Sequence, residues 1–143
     1  MKRSAFCLGL FALAVSGLTV AGCVPPPPPP AVGAQVYEVF FDLGATGLNE
    51  RGRTTVENAA AAAGRRPVAA PVEVVGHADA IGGATANAAI SQARAKTVAA
   101  ALQREGVAPN RIVLRAAGEN APVVQTGPDE REPRNRRVEI IIR

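Results

Sequence analysis

Few residues in this chain have the chemistry for catalysis. His77 is the single histidine, and Ser91 is the only serine beyond the first 22 residues. A Ser/His/Asp triad would have to join these two, yet Ser91 falls inside a helical stripe and not on the sharp turn that exposes a nucleophile. His77 and Asp79 alternate at the end of an apolar run, but no third ligand converges with them, so no metal site is expected. Asp42 and Asp79 both fall at strand ends, and nothing marks either as the raised-pKa acid that glycan cleavage needs. The sequence therefore points away from an enzyme, a wall-processing hydrolase included, and implies no cofactor.

What remains is a set of complementary charges. Asp79 follows the apolar segment Val72 to Val75, and Arg94 lies seven residues beyond Asn87, two helical turns along the same face. If the intervening loop folds the helix back onto the sheet, Asp79, Asn87 and Arg94 meet at the strand's end. Such a place suits a zwitterionic amino acid: a carboxylate for its ammonium, a guanidinium fork for its carboxylate, and an amide to orient both. By composition alone, an Asp/Arg pair fifteen residues apart is more often structural than ligand-binding.

The elements that must position these groups are legible from periodicity. Residues 35 to 41 alternate, with Val36, Glu38 and Phe40 on one face and Tyr37, Val39 and Phe41 on the other, which predicts a strand. Asn49 caps a helix running to about Ala63, with Gly64 as its stop. Val56 is its only large apolar residue, so a thinly packed layer is expected. A short strand over Val72 to Val75 ends at Gly76. Ala86 to Glu105 is the strongest helix, and Asn87, Ile90, Ser91, Arg94, Ala95, Val98 and Leu102 share one stripe along it. Arg111 to Ala117 and Arg136 to Ile142 complete four strands in the order β-α-β-α-β-β. This is an α/β (α+β) pattern: a single mixed sheet with two main helices packed on it, the long loop before the last strand permitting an antiparallel edge.

The first quarter of the chain reads differently. Met1-Lys2-Arg3, an apolar run from Ala5 to Val15, and Val20-Ala21-Gly22 before Cys23 form an export signal over residues 1–22. The apolar run is too short to cross a hydrocarbon core of about 30 Å. Val20-Ala21-Gly22-Cys23 resembles the bacterial lipobox, which implies acylation of Cys23 and loss of Cys7 with the signal, leaving one cysteine and no disulfide. Val24 stands where such lipoproteins carry aspartate for inner-membrane retention, which favours the outer membrane. Pro25 to Pro30 forms an extended polyproline rod, and residues 23–34 together make a tether of about 30 Å. The folded domain is then 35–143.

Net charge excludes a further class. The chain has 16 Lys+Arg and 12 Asp+Glu; without residues 1–22 the first count falls to 14 and the net charge to +2. With only Tyr37, Phe40 and Phe41 as aromatics in that part, there is neither a polyanion surface nor a base-stacking platform, so no nucleic-acid partner is expected.

Val75-Gly76-His77-Ala78-Asp79, then Gly82, Asn87, Ile90-Ser91 and Arg94-Ala95, then Gly118-Glu119 and Pro122, then Asn135-Arg136-Arg137-Val138-Glu139, resemble the OmpA-like C-terminal domain. That family includes outer-membrane porin tails, the peptidoglycan-associated lipoproteins and motor stator proteins, and the resemblance spans about Val36 to Ile142. It implies that Asp79 and Arg94 grip the diaminopimelate of the peptidoglycan stem peptide, and that Asn87 and the loop Phe41-Asp42-Leu43 line the same pocket. It also implies a non-covalent wall binder, anchored through acylated Cys23 in outer-membrane lipid and facing the periplasm. Gly-His-Ala-Asp and the lipobox lean towards the peptidoglycan-associated lipoproteins. Residues Ala80 to Ala86 lack their charged and aromatic residues, which leaves a Tol-system or other envelope protein partner open. An interaction module with secondary wall binding is the alternative. Arg136 and Arg137 alternate along a strand, so only one can face the ligand; the sequence does not choose, and Arg137 stands as the candidate.

Overall fold

The computed structural model describes residues 33–143. The export signal, Cys23 and the hexaproline lie outside the described residues. Six principal elements follow in order: β1 (Gln35–Phe40), α1 (Glu50–Gly64), β2 (Val72–His77), α2 (Ala84–Arg104), β3 (Ile112–Gly118) and β4 (Arg137–Ile142). The mixed four-stranded sheet with two helices is the architecture expected from periodicity. The strands stand in the order β1-β4-β2-β3, with β4 antiparallel to both neighbours and β2 parallel to β3.

One feature of the order departs from expectation, since β4 is an interior strand and not an antiparallel edge. Its composition explains this. Val138, Ile140 and Ile142 are fully buried against the helices, and Ile141 is half-buried on the other face. A strand this apolar gains most from a neighbour on each side, and the long loop after β3 lets the chain cross to reach that place.

Both helices cover one face of the sheet, and a single core forms between the layers. The strands contribute Val39, Val72, Val74, Val138, Ile140 and Ile142, and α2 contributes Val98 and Leu102. From α1 come Val56 and four alanines, so this layer is as thin as its sequence suggests. Asn49 accepts the Gly52 amide at 2.8 Å and caps that helix. The uncovered face carries a charged ladder. Glu38 and Glu139 are directly opposite one another across β1 and β4, and Arg137 pairs with both.

α2 lies unusually close to β2. A Cβ built on Gly76 would stand 2.0 Å from the Ser91 carbonyl oxygen, so only glycine permits this approach. Ser91 uses the proximity: its Oγ donates to the Ala88 carbonyl at 2.9 Å and accepts the Gly118 amide at 3.2 Å. The first half of α2 is thereby pressed onto the ends of β2 and β3, which fixes where Asn87 and Arg94 point.

Candidate functional site

The last residues of β1 and β2, the first half of α2 and the segment leading into β4 meet at one end of the sheet. Arg94, on α2, is the largest fully buried side chain among the described residues, at 1% exposure. A guanidinium so placed must spend its donors on protein acceptors. Its Nε donates to the Ala45 carbonyl at 2.9 Å, one terminal nitrogen to His77 at 3.3 Å and the other to Asp42 at 3.3 Å. Its Cζ also lies 5.3 Å from the centre of the Phe41 ring. Three of five N–H groups are thus committed to backbone carbonyls, and two remain.

Asp79 is buried just past the end of β2. Its Oδ2 accepts from a terminal nitrogen of Arg136 at 3.0 Å, with both side chains largely shielded from solvent. Arg136 also donates through Nε to the Phe41 carbonyl at 3.2 Å, and its own carbonyl accepts the Phe41 amide at 2.9 Å. This residue therefore clamps the exits of β1 and β2 together. Burial holds the Arg94 pKa below its ordinary value; the Asp79 charge opposes that shift and the Arg136 charge adds to it. One carboxylate, ion-paired to Arg136 and acting on Arg94 through space, thus stands against two guanidiniums, an excess of positive charge that favours an incoming carboxylate.

The structure brings Asp79, Arg94, Asn87, Phe41 and the Asp42 backbone to this one place. Asn87 does not reach Arg94; its side-chain amide donates to Glu119 and, at 3.4 Å, to the Gly82 carbonyl, tying the loop after β2 to the end of β3. The Asp42 side chain is exposed at the rim. Arg137 is not brought to Asp79. It points to the uncovered face, pairing with Glu139 and Glu38 beside His77. The alternation at the start of β4 explains this: if Val138 must face the core, Arg137 must face away, and Arg136, still ahead of the strand, turns back to Asp79. Sequence reasoning missed Arg136 as the direct partner of Asp79 and Glu119 as the partner of Asn87. The signal for the first was available in Val138, whose burial fixes the face of its neighbour.

Two cavities flank the Asp79–Arg136 pair. One, of about 330 Å³, is lined by Phe40, Phe41, Asp42, Asn49, Arg134 and Arg136. The other, of about 320 Å³, lies under the loop after β3 and presents Glu119, Asn120, Gln125, Thr126 and Asn135 beside Ala78 and Ala80. Asn135 holds that loop in place, donating to the Val124 carbonyl at 2.8 Å and accepting its amide at 3.0 Å. Among the described residues, no group of three or more His, Cys, Asp or Glu side chains is arranged to hold a metal ion.

A mixed sheet in this order, with a buried Asp/Arg cluster at the end where α2 begins, is the frame of a known class of domain. Residues 40–136 match the OmpA family, and the chain belongs to it. Among similar proteins, an outer membrane protein of Gluconacetobacter diazotrophicus is 40% identical over 115 residues, covering 76% of this chain and 30% of that protein. The probable lipoprotein YiaD of Escherichia coli is 36% identical over 104 residues, covering 73% of this chain and 47% of that one. The chain thus spans less than half of these relatives' lengths. Among solved structures, the peptidoglycan-associated lipoprotein of Burkholderia pseudomallei superposes with a TM-score of 0.68 at 22% identity, covering 75% of this chain and 90% of that one. The periplasmic domain of Helicobacter pylori MotB gives 0.64 at 20% identity over 76% and 75%. At such identities these two structures establish the shared fold.

Proposed function

We propose that this protein binds peptidoglycan non-covalently through the diaminopimelate of its stem peptide, and that it links the outer membrane to the cell wall. The observation that carries the reading is a buried Asp79, ion-paired to Arg136, at the same end of the sheet as a buried Arg94 that keeps two N–H groups uncommitted, with open cavities lined by Arg136 on one side and by Ala78 and Ala80 on the other. Diaminopimelate carries an ammonium and a carboxylate on its side arm, where lysine carries the ammonium alone. Arg94 supplies donors for that carboxylate in a partly desolvated place, and Asp79 attracts the ammonium. A lysine-type wall would leave the guanidinium without its partner. Arg136 joins the proposed site as the residue that holds Asp79, Asn87 as the residue that holds the loop, and Phe41 as the ring beneath Arg94.

Membership of the OmpA family, and relatives that are outer membrane proteins or a probable lipoprotein, support an envelope role without catalysis. Under this reading residues 1–22 are the export signal, Cys23 is acylated, 23–34 tether the domain 35–143 to the outer membrane, and the domain faces the periplasm. A Tol-system or other envelope protein is a further proposed partner. The test is co-sedimentation of the chain from residue 23 onward, carrying Cys23→Ser, with purified sacculi. Arg94→Lys keeps the charge and loses the fork, and should weaken binding roughly thirtyfold, about 2 kcal/mol. Unchanged binding by a folded Arg94→Lys variant, or equal binding to lysine-type wall, would remove diaminopimelate recognition from this site.

A further inference from the structure

The sheet register places the candidate site and the start of the domain at opposite poles. Gln35, Ile142 and Val72 are aligned at one end, whereas Phe40, Arg137 and Gly76 stand near the other. At the rise of a strand, these ends are roughly 20 Å apart. The pole away from Asp79 has a distinctive loop, Arg65-Arg66-Pro67-Val68-Ala69-Ala70-Pro71, between α1 and β2. A turn closed by the Ala70 amide on the Pro67 carbonyl at 2.8 Å puts Val68 at its tip. Val68 is 83% exposed, the most exposed large apolar residue among the described residues. Arg65 and Arg66 precede it, and neither has an ion-pair partner among the described residues. Arg111 braces the loop from below, donating to the Ala70 carbonyl at 2.8 Å and the Ala63 carbonyl at 3.1 Å. The nearby acid, Glu73, is already engaged by Arg115 and Arg143.

The chain itself arrives at this loop, for Arg66 donates to the carbonyl of Gly33, the first described residue. Only nine residues separate Gly33 from Cys23, a span of about 28 Å even as a polyproline rod. We infer that the loop 65–71 is a membrane-contact surface: Arg65 and Arg66 engage the phosphates of anionic phospholipid headgroups, and Val68 enters the interface between them. This rests on the reading of Cys23 as a lipid anchor, which brings the surface within reach of a bilayer at high effective concentration. Two arginines near an anionic surface strengthen binding by roughly fivefold each, too little for a free domain to stay bound at physiological salt but enough to orient a tethered one. The candidate site then faces away from the membrane.

The chain contains no tryptophan, so a single introduced one reports its own surroundings. The chain from residue 23 onward carrying Cys23→Ser and V68W is titrated at low salt with concentrated vesicles of phosphatidylglycerol and phosphatidylethanolamine, and with phosphatidylcholine vesicles. V123W, at a 57% exposed position in the loop beside the candidate site, serves as the control. The expected result is a blue shift of the V68W emission on anionic vesicles alone, with partitioning lowered roughly 25-fold by R65S/R66S. No shift, a shift of equal size on phosphatidylcholine, or an equal shift of V123W overturns the proposal. The anchor reading fails separately, if mass spectrometry of the membrane-extracted protein finds Cys23 without acyl chains.

Discussion

Replacing Asp79 by asparagine preserves shape and removes the charge on which two guanidiniums depend. Its Oδ2 lies 3.0 Å from Arg136, and the two side chains are only 7% and 10% exposed. At an effective dielectric constant of about 20, the gross attraction at that distance is about 5 kcal/mol. Removing one member of a buried pair typically costs about 3–5 kcal/mol, because the survivor keeps its desolvation penalty. Arg136 lines one open cavity, and Ala78 and Ala80 on either side of Asp79 line another, so water can approach the pair and we expect about 3 kcal/mol for D79N. The opposite substitution, R136M, should cost less, about 1–2 kcal/mol, since Asp79 still faces Arg94. The double variant should be less destabilised than the sum of the two, as it leaves one guanidinium unneutralised and not two. Urea unfolding at pH 7 with unchanged m-values measures all three. If R136M proves as costly as D79N, the carboxylate does not serve Arg94, and the picture of one anion shared by two cations is wrong.

Further outcomes follow from packing and protonation. His77 is held neutral in the folded state, its pKa lowered from 6.5 chiefly by burial and also by Arg137, with Glu139 opposing. The unfolded chain therefore takes up the proton first, so stability is intact above about pH 6.5 and falls as the pH drops through that value towards the folded-state pKa. The slope should reach at most about 1.4 kcal/mol per pH unit; urea titrations across pH 5–7.5 should show it in the natural chain and not in H77Q, and an identical slope in both refutes it. G76A drives a methyl into the Ser91 carbonyl, a backbone group that cannot rotate away. A loss of about 3 kcal/mol is expected, together with weaker sacculus binding because Arg94 rides on the same helix; a thermal midpoint equal to that of the natural chain would contradict the close approach.

Much of the fold was legible because its signals are local. The alternation of residues 35–41 separated the buried Val39 and Phe41 from the exposed Val36 and Phe40, and the structure keeps that division. The stripe on α2 from Asn87 to Leu102 is buried almost throughout, with Ile90 half-buried. Strand order was not legible, since it depends on how much β4 gains from two neighbours, a property of the assembled sheet. The meeting of Asp79 and Arg94 could be anticipated from one strand-loop-helix unit. The pairing of Asp79 with Arg136, 57 residues away, was legible only by elimination: the burial of Val138 turns Arg137 to the other face, but alternation does not say where Arg136, ahead of the strand, will reach. Arg94 likewise reads as a ligand-facing cation in sequence, while its three bonds to carbonyls of residues 42, 45 and 77 exist only once the segment after β1 and the end of β2 have closed over it.

The polar arrangement of the domain has a mechanical consequence. A chain held in a bilayer through residue 23 and gripped by the wall at Asp79 would be pulled along the axis of β1, with the membrane drawing on Gln35 while Arg136 holds the far end through β4. The antiparallel ladder from Gln35–Ile142 to Phe40–Arg137 lies along that pull, so its hydrogen bonds share the load in shear and do not open one at a time from an end. Six residue pairs can then act as a strap, resisting separation of membrane and wall with a sheet that would yield readily if peeled from its edge.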